Sequence, residues 1–295
     1  MTHVDKQCIL CGKTESELFD QRSVHGYTVT NRHCSNCGLV FQSPRMSDDE
    51  LAAFYRREYR QLYQGSEGPT PKDLAVQKRR AESLLAFTRM QVDDVSHHLD
   101  IGCSAGLLLL HFQYGYGCQA VGVEPGDTYR AYAKEQGLFV YDTLEALENN
   151  LAKVFDLISV VHVLEHLPNP VDYLSTLRER WLSSGGHLLV EVPNLYAHES
   201  FEVAHLVSYS PHTLIQTLQQ AGYEVTALEQ HGRPRSEIHP LYLTVLARAA
   251  AAPISGEIQP EKGVRRKRQV GMLRRRILTR LVPKKAWIPI KTDDI

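Results

Sequence analysis

The feature that most restricts how this chain can fold begins at His97, where short apolar strands start to alternate with amphipathic helices. Strands are predicted over residues 98–101, 120–124, 138–140, 155–161 and 187–191, and two more over 223–228 and 241–247. Helices are predicted between them, near 107–114, 128–136, 144–150, 171–182 and 211–221. Strands this apolar read as buried on both faces, the pattern of a mostly parallel sheet with helices on each side. The expected fold is an α/β, Rossmann-like sheet of seven strands, in which ligands bind beyond the carboxyl ends of the strands.

The longest near-continuous apolar stretch, 154–164, contains Asp156 and is far shorter than a bilayer span. Residues Met1 to Lys6 lack the basic-then-apolar order of a secretory leader, so the expected location is the cytoplasm. Charge is divided along the chain. Residues 261–295 carry 12 Lys and Arg against 3 Asp and Glu, which leaves 21 basic against 31 acidic residues in 1–260. An acidic body is a poor footprint for nucleic acid, whereas the basic tail can meet an anionic surface.

Four of the six cysteines fall in two knuckles 22 residues apart, Cys8-Ile9-Leu10-Cys11-Gly12 and Cys34-Ser35-Asn36-Cys37-Gly38. Each knuckle points two sulfurs at one spot. Together they supply a closed tetrahedral set for structural zinc, with no coordination position left for chemistry. The rivals are a redox pair, which needs no twin, and a disulfide framework, which fits a cytoplasmic chain poorly. His33 beside Cys34 is an alternative ligand; Cys103 and Cys118 read as small packing residues.

Ser47 and Glu50 have capping-box spacing and open a helix carrying Leu51, Phe54 and Leu62. Tyr55, Tyr59 and Tyr63 share one face of it, as packing or as a cover over substrate. A break at 65–71 precedes a second helix over 72–90. The expected units are a zinc ribbon over 1–45, a helical connector over 46–95, the α/β domain over 96–250, and a linker with a basic amphipathic tail over 251–295.

The segment Leu99-Asp100-Ile101-Gly102-Cys103-Ser104-Ala105-Gly106 is a glycine-rich strand-to-helix turn, which lets a ligand approach the backbone and the amides of a helix start. It is not G-x-G-x-x-G, because Ser104 and Leu107 occupy two glycine positions, and no P-loop motif occurs elsewhere. Glu124 ends the second strand, where a carboxylate can accept hydrogen bonds from a ribose diol.

These parts resemble the class I S-adenosylmethionine-dependent methyltransferases. The likeness rests on Asp100, Gly102, Gly106 and Glu124, the block from Phe155 through His162, Glu165 and His166 to Pro170, and Gly185-Gly186-His187 leading to Val192-Pro193-Asn194. It covers about residues 97–248. The resemblance implies that Gly102 and Gly106, with Cys103 between them, line the methionyl part of S-adenosylmethionine. It further implies that Asp100 meets the amino group, Glu124 holds the ribose, Thr143 neighbours the adenine and His162 underlies the methionine–ribose segment. The usual glycine at the middle of the turn is Ser104 here.

The cysteine module, the stretch Pro44-Arg45-Met46-Ser47-Asp48-Asp49-Glu50-Leu51 and this core together are similar to bacterial methyltransferases with an N-terminal zinc-binding domain, among them sugar C-methyltransferases and enzymes of polysaccharide clusters. In the sugar enzymes a Glu-His pair follows the fifth strand; this chain has Ala204-His205, and His205 is the expected base. The resemblance implies a sugar, glycan or small-metabolite acceptor. An RNA methyltransferase and a non-catalytic binding module are the rival readings. In the tail, Val270, Leu273, Ile277 and Leu281 recur at helical spacing among arginines. That pattern reads as a contact with the inner face of an anionic membrane, as a hold on RNA, or as docking on the chain's own body.

Overall fold

In the computed structural model, which describes residues 1–57, 62, 68–150, 154–199, 201–250 and 256–290, the N-terminal module is a small antiparallel sheet. Strands β1 (Ser16–Val24) and β2 (Tyr27–Cys34) form a hairpin, and β2 runs directly into the second knuckle. Strand β3 (Val40–Gln42) follows and pairs antiparallel with β2. The edge of β3 is then covered by a strand from far along the chain, β9 (Val207–Ser208), with Val40 opposite Ser208 and Phe41 opposite Val207. The Gln42 amide extends this pairing to the Leu206 carbonyl at 2.8 Å. The ribbon is therefore no bead on a string; its sheet is completed by the α/β domain.

The helix after it, α1 (Asp48–Arg57), starts as the capping box requires: the Glu50 amide donates to Ser47 Oγ at 3.2 Å, and the Ser47 amide to Glu50 Oε2 at 2.8 Å. The stripe of Tyr55, Tyr59 and Tyr63 lies outside the residues whose side chains are described. Helix α2 (Pro71–Arg89) has its own reciprocal cap from Thr70 and Asp73.

The larger sheet, among the described residues, has the order β10-β11-β8-β7-β4-β5-β6. Its centre is parallel: β4 (His97–Ile101), β5 (Gln119–Val123), β6 (Phe139–Tyr141), β7 (Phe155–Val161) and β8 (Leu182–Pro193). Two antiparallel strands, β10 (Tyr223–His231) and β11 (Tyr242–Ala249), complete it beyond β8. Leu99, Ile158, Leu188, Val190 and Val245 are fully covered, and each such side chain contributes roughly 1.5–3 kcal/mol of burial. Helices α3 (Leu107–Tyr116), α4 (Asp127–Glu135), α5 (Leu144–Asn150), α6 (Pro170–Arg180) and α7 (Pro211–Gln220) connect the strands. The seven-stranded α/β expectation holds, with β8 and β10 longer than predicted.

The tail forms α8 (Val264–Leu281) and a short α9 (Pro283–Ala286), and it docks on the chain's own body. Three arginines reach backbone carbonyls of the body, while Arg265 also lies 3.7 Å from Glu17 and Lys267 pairs with Glu261 at 2.8 Å. Arg265 donates to Phe19 O at 3.0 Å and to Leu18 O at 2.6 Å, Arg268 to Leu195 O and to His198 O, and Arg275 to Ala197 O at 3.0 Å. At Gly271 the Tyr196 carbonyl comes so close that no side chain would fit. No helix among the described residues is long and apolar enough to cross a membrane.

Candidate active site

Four parallel strands deliver the residues singled out in the sequence to one edge of the sheet: β4 to Gly102, β5 to Glu124, β7 to His162, and β8 to the loop carrying His205. Gly102 has φ +71°, and a Cβ there would meet Val163 Cγ2 at 2.5 Å, so this position is closed to larger residues. Ser104 takes the left-handed conformation that glycine would occupy, at φ +52°. That conformation costs a non-glycine residue roughly 1–2 kcal/mol. Its amide donates to Glu124 Oε2 at 2.9 Å and its hydroxyl accepts from Gln77 Nε2 at 3.3 Å. Ser104 thus holds a left-handed backbone without being glycine and ties the turn to α2.

Glu124 is buried and also accepts from the Gly126 amide at 2.8 Å. These two backbone amides fix the orientation of the carboxylate. Asp100 is buried beside it and accepts from Ser159 Oγ at 2.5 Å, while Ser159 Oγ lies 2.8 Å from His98 Nε2. Burial pushes the Asp100 carboxyl up to about 7, with the Ser159 hydrogen bond opposing and the nearby Glu124 charge adding. Burial holds His98 neutral, down at about 3. Cys103 turns its sulfur inward against Gly122, where an added Cβ would meet it at 2.5 Å, so any ligand contact it makes comes from its backbone. Thr143 is exposed and caps α5 through the Ala146 amide at 3.1 Å.

His162, at φ +54°, is clamped between carboxylates, with Nδ1 3.2 Å from Glu165 Oε1 and Nε2 3.1 Å from Glu191 Oε1. Burial and the Arg80 charge pull its pKa down, but the two carboxylates outweigh them and the net shift is upward. Glu191 is fully buried and central. It pairs with Arg80 Nε at 2.8 Å, lies 3.3 Å from His231 Nε2, and accepts from Thr244 Oγ1 at 3.0 Å. Burial raises its pKa, yet Arg80 and the two histidines hold it well below the ordinary range. Sequence reasoning missed Arg80, Glu191, His231 and Thr244. The legible signal was Glu191, a charge at the end of an otherwise apolar strand.

His205 is buried, with its ring centroid 4.8 Å from that of His166 and its Nε2 3.8 Å from Glu202 Oε2. His166 Nδ1 donates to the Ala204 carbonyl at 2.9 Å, which leaves the lone pair on Nε2. Burial brings His166 down to about 4. Glu165, His166 and His205 bring one polar atom each within 4.8 Å of one another. Helix α2 links the two halves, Gln77 contacting the glycine turn and Arg80 the Glu191 cluster one turn later.

In the ribbon, Cys8 Sγ is 3.6 Å from Cys37 Sγ and Cys11 Sγ is 3.5 Å from Cys34 Sγ, and all four lie within 4.8 Å of one another. Disulfides would bring pairs to about 2.05 Å. The four sulfurs fit a tetrahedral ion instead, with Zn–S bonds of about 2.3 Å. His33 Nδ1 faces Glu17 at 3.5 Å.

The methyltransferase domain family matches residues 74–228, more than half of the chain. The chain belongs to that family. Among solved structures, the methyltransferase is similar in fold to the 1,6-didemethyltoxoflavin-N1-methyltransferase of Burkholderia thailandensis, solved with 1,6-didemethyltoxoflavin and S-adenosylhomocysteine. The identity is 15% and the TM-score 0.56, over 78% of this chain and 99% of that one. A second similar structure is a SAM-dependent methyltransferase from Archaeoglobus fulgidus, at 19% identity and TM-score 0.45 over 59% of this chain and 98% of that one. A search of curated protein sequences finds no match. The methyltransferase is thus an enzyme with the fold of the S-adenosylmethionine-dependent family.

Proposed function

We propose that this enzyme transfers a methyl group from S-adenosylmethionine to a sugar, glycan or small-metabolite acceptor held against the loop that contains His205. The observation that carries the reading is the meeting, at one sheet edge, of the glycine turn with Glu124 on one side and the half-buried His166 against the buried His205 on the other. Gly102, Gly106 and the backbone of Cys103 would hold the methionyl part, Asp100 the amino group, Glu124 the ribose, Thr143 the adenine side, and His162 the segment between. The donor supplies an electrophilic methyl on a sulfonium; the chain's task is to align a nucleophile with it and remove its proton. His205 is the proposed base, and Glu202 beside it suits an imidazolium formed on proton uptake. The sugar enzymes keep a glutamate directly before this histidine. Here Ala204 stands in that place and the carboxylate comes from Glu202, three residues earlier, a departure that leaves oxygen and nitrogen as open as carbon for the methylated atom. Zinc on Cys8, Cys11, Cys34 and Cys37 would support the fold and take no part in transfer.

Calorimetry tests the donor site. Glu124→Ala is expected to weaken S-adenosylmethionine binding by about 1–3 kcal/mol, since buried hydroxyls lose their acceptor. Asp100 adds a pH signature. Its carboxyl sits at about 7 without a cation, so pairing with an ammonium requires losing that proton. Affinity should fall as pH drops below 7, approaching tenfold per unit, and Asp100→Asn should flatten the dependence. Unchanged affinity in Glu124→Ala would show that this carboxylate does not hold the donor.

Labelled S-adenosylmethionine offered with nucleotide-sugar, lipid-extract and RNA pools tests the acceptor class. On the labelled acceptor, His205→Ala is expected to lower kcat by about 10²–10⁴ while donor affinity stays unchanged. Full turnover in His205→Ala would move the proton acceptor elsewhere, and label only in RNA would replace the acceptor reading.

A further inference from the structure

The tail helix is docked with its apolar side outward. Its inner face is formed by Val264, Arg268, Gly271 and Arg275, with Val264 and Arg268 buried. At about 100° per residue, Leu273 lies half a turn round from Val264, and Val270, Leu273, Ile277 and Leu281 occupy an arc of about 80° on that far side. Their exposures are 59%, 56%, 47% and 71%. Arg276 and Arg280 border this arc on one side and Arg274 on the other, while Arg266 lies within it, and all four are exposed. Residues 262–282 contain no Asp or Glu. Trp287 follows at 37% exposure, packed by its ring on His239.

A helix that simply satisfied its own apolar residues would have rolled the other way. The rotation is set by contacts that only the inner face can make. Gly271 admits the Tyr196 carbonyl, and Arg268 and Arg275 reach the carbonyls of Leu195, Ala197 and His198. Rolling the helix would strand those guanidinium contacts and place a Leu or Ile against a backbone that has room only for glycine. The outward stripe is therefore a fixed feature of the folded chain.

We infer that this face of α8 docks on the surface of an anionic lipid bilayer, lying in the interface plane with its arginines among the headgroups. The occupant follows from the two properties together. A second copy of the helix would bring arginines against arginines, a repulsion that no acidic residue in 262–282 relieves. A nucleic acid would meet the arginines but leave four large aliphatic side chains in water. An anionic bilayer satisfies both, through apolar insertion at the headgroup boundary and attraction of each nearby cation. The inference stands independently of which acceptor is methylated. It does place the surface beside residues 195–198, the start of the loop that carries His205.

The test is sedimentation of the full-length protein with vesicles of phosphatidylcholine alone and of phosphatidylcholine with phosphatidylglycerol. Binding is expected only with the anionic vesicles, and it should weaken as salt rises. The double variant Leu273→Glu, Ile277→Glu alters only the outward arc. It should keep the circular dichroism and S-adenosylmethionine affinity of the parent while losing vesicle binding by roughly a hundredfold. Arg276→Gln with Arg280→Gln should lose about fivefold per charge. Three results would overturn the inference: no binding to anionic vesicles at low salt, vesicle binding that survives the double variant, or a parent dimer in solution that the double variant converts to monomer. Capture of polyuridylic acid that the double variant retains, without vesicle binding, would assign the arginines to nucleic acid instead.

Discussion

Replacing Cys34 by serine, or stripping the metal with a chelator, is expected to lower the thermal midpoint by far more than an ordinary substitution and to abolish stoichiometric zinc. In isolated zinc-finger peptides the apparent binding energy is about 10–16 kcal/mol, and in such small modules it is folding energy. The ribbon here has some apolar support from Val29, Leu39 and Phe41, so part of that figure is offset, and a loss of several kcal/mol is the expected scale. The effect should spread. Strand β3 is the partner of β9, and Gln42 donates to the Glu202 and Val203 carbonyls at 3.3 and 3.4 Å. The segment holding His205 therefore loses its support when the ribbon opens, whereas the glycine turn and Glu124 keep theirs. Metal analysis, thermal unfolding and donor calorimetry on Cys34→Ser check this together. The expected pattern is no zinc, a depressed midpoint, lost turnover and retained donor binding. An unchanged midpoint with no metal bound would remove zinc from the account of stability.

Glu191→Ala is expected to destabilise the enzyme by about 3–5 kcal/mol, the scale for removing one member of a buried charged cluster. Arg80 and His162 would lose their common counter-charge, and Thr244 and His231 a buried acceptor. Glu191→Gln keeps the shape and should cost less. The acid side distinguishes the two. Because the folded enzyme holds Glu191 well below its usual range, its contribution is fully present above the unfolded value near 4.3. It is lost as pH falls toward the lower folded value. Glu191→Gln should therefore show a shallower decline in stability below about pH 4.3. Denaturant unfolding at neutral and acid pH measures both, and a Glu191→Ala loss within about 0.5 kcal/mol, the range of ordinary surface substitutions, would mean that the cluster is not coupled to folding.

Much of this was readable before the fold was in hand because the signals were local. The apolar strands from β4 to β8 declare themselves by length and composition, and the knuckles by spacing; the Ser47–Glu50 cap needs only four residues. The Glu191 cluster was hidden because its members sit at positions 80, 162, 191, 231 and 244, and only sheet order makes β8, β10 and β11 neighbours. Glu202 was hidden for the opposite reason: the resemblance points to the residue directly before His205, while the loop's fold brings the carboxylate from three residues away. The tail helix was legible as amphipathic, but its sense of rotation was not. Hydrophobic periodicity alone favours an apolar face turned inward, and the outward roll depends on Gly271 meeting a carbonyl more than seventy residues earlier.

The pairing of β3 with β9 also bears on how the chain assembles during synthesis. The two knuckles and the β1–β2 hairpin leave the ribosome early, and the proposed zinc would gather Cys8, Cys11, Cys34 and Cys37 as soon as they emerge. The open edge of β3 then waits for Val207 and Ser208, some 160 residues later. At roughly 5–20 residues per second that interval is about 10–30 seconds, during which an unpaired strand edge is exposed to other chains. Pairings that need still more of the chain, β11 on β8 and α8 on the Leu18 and Phe19 carbonyls, come after its closure. The order of translation thus makes the edge of β3 wait until β4 to β8 have left the ribosome, and joins completion of the ribbon to synthesis of the parallel half of the larger sheet.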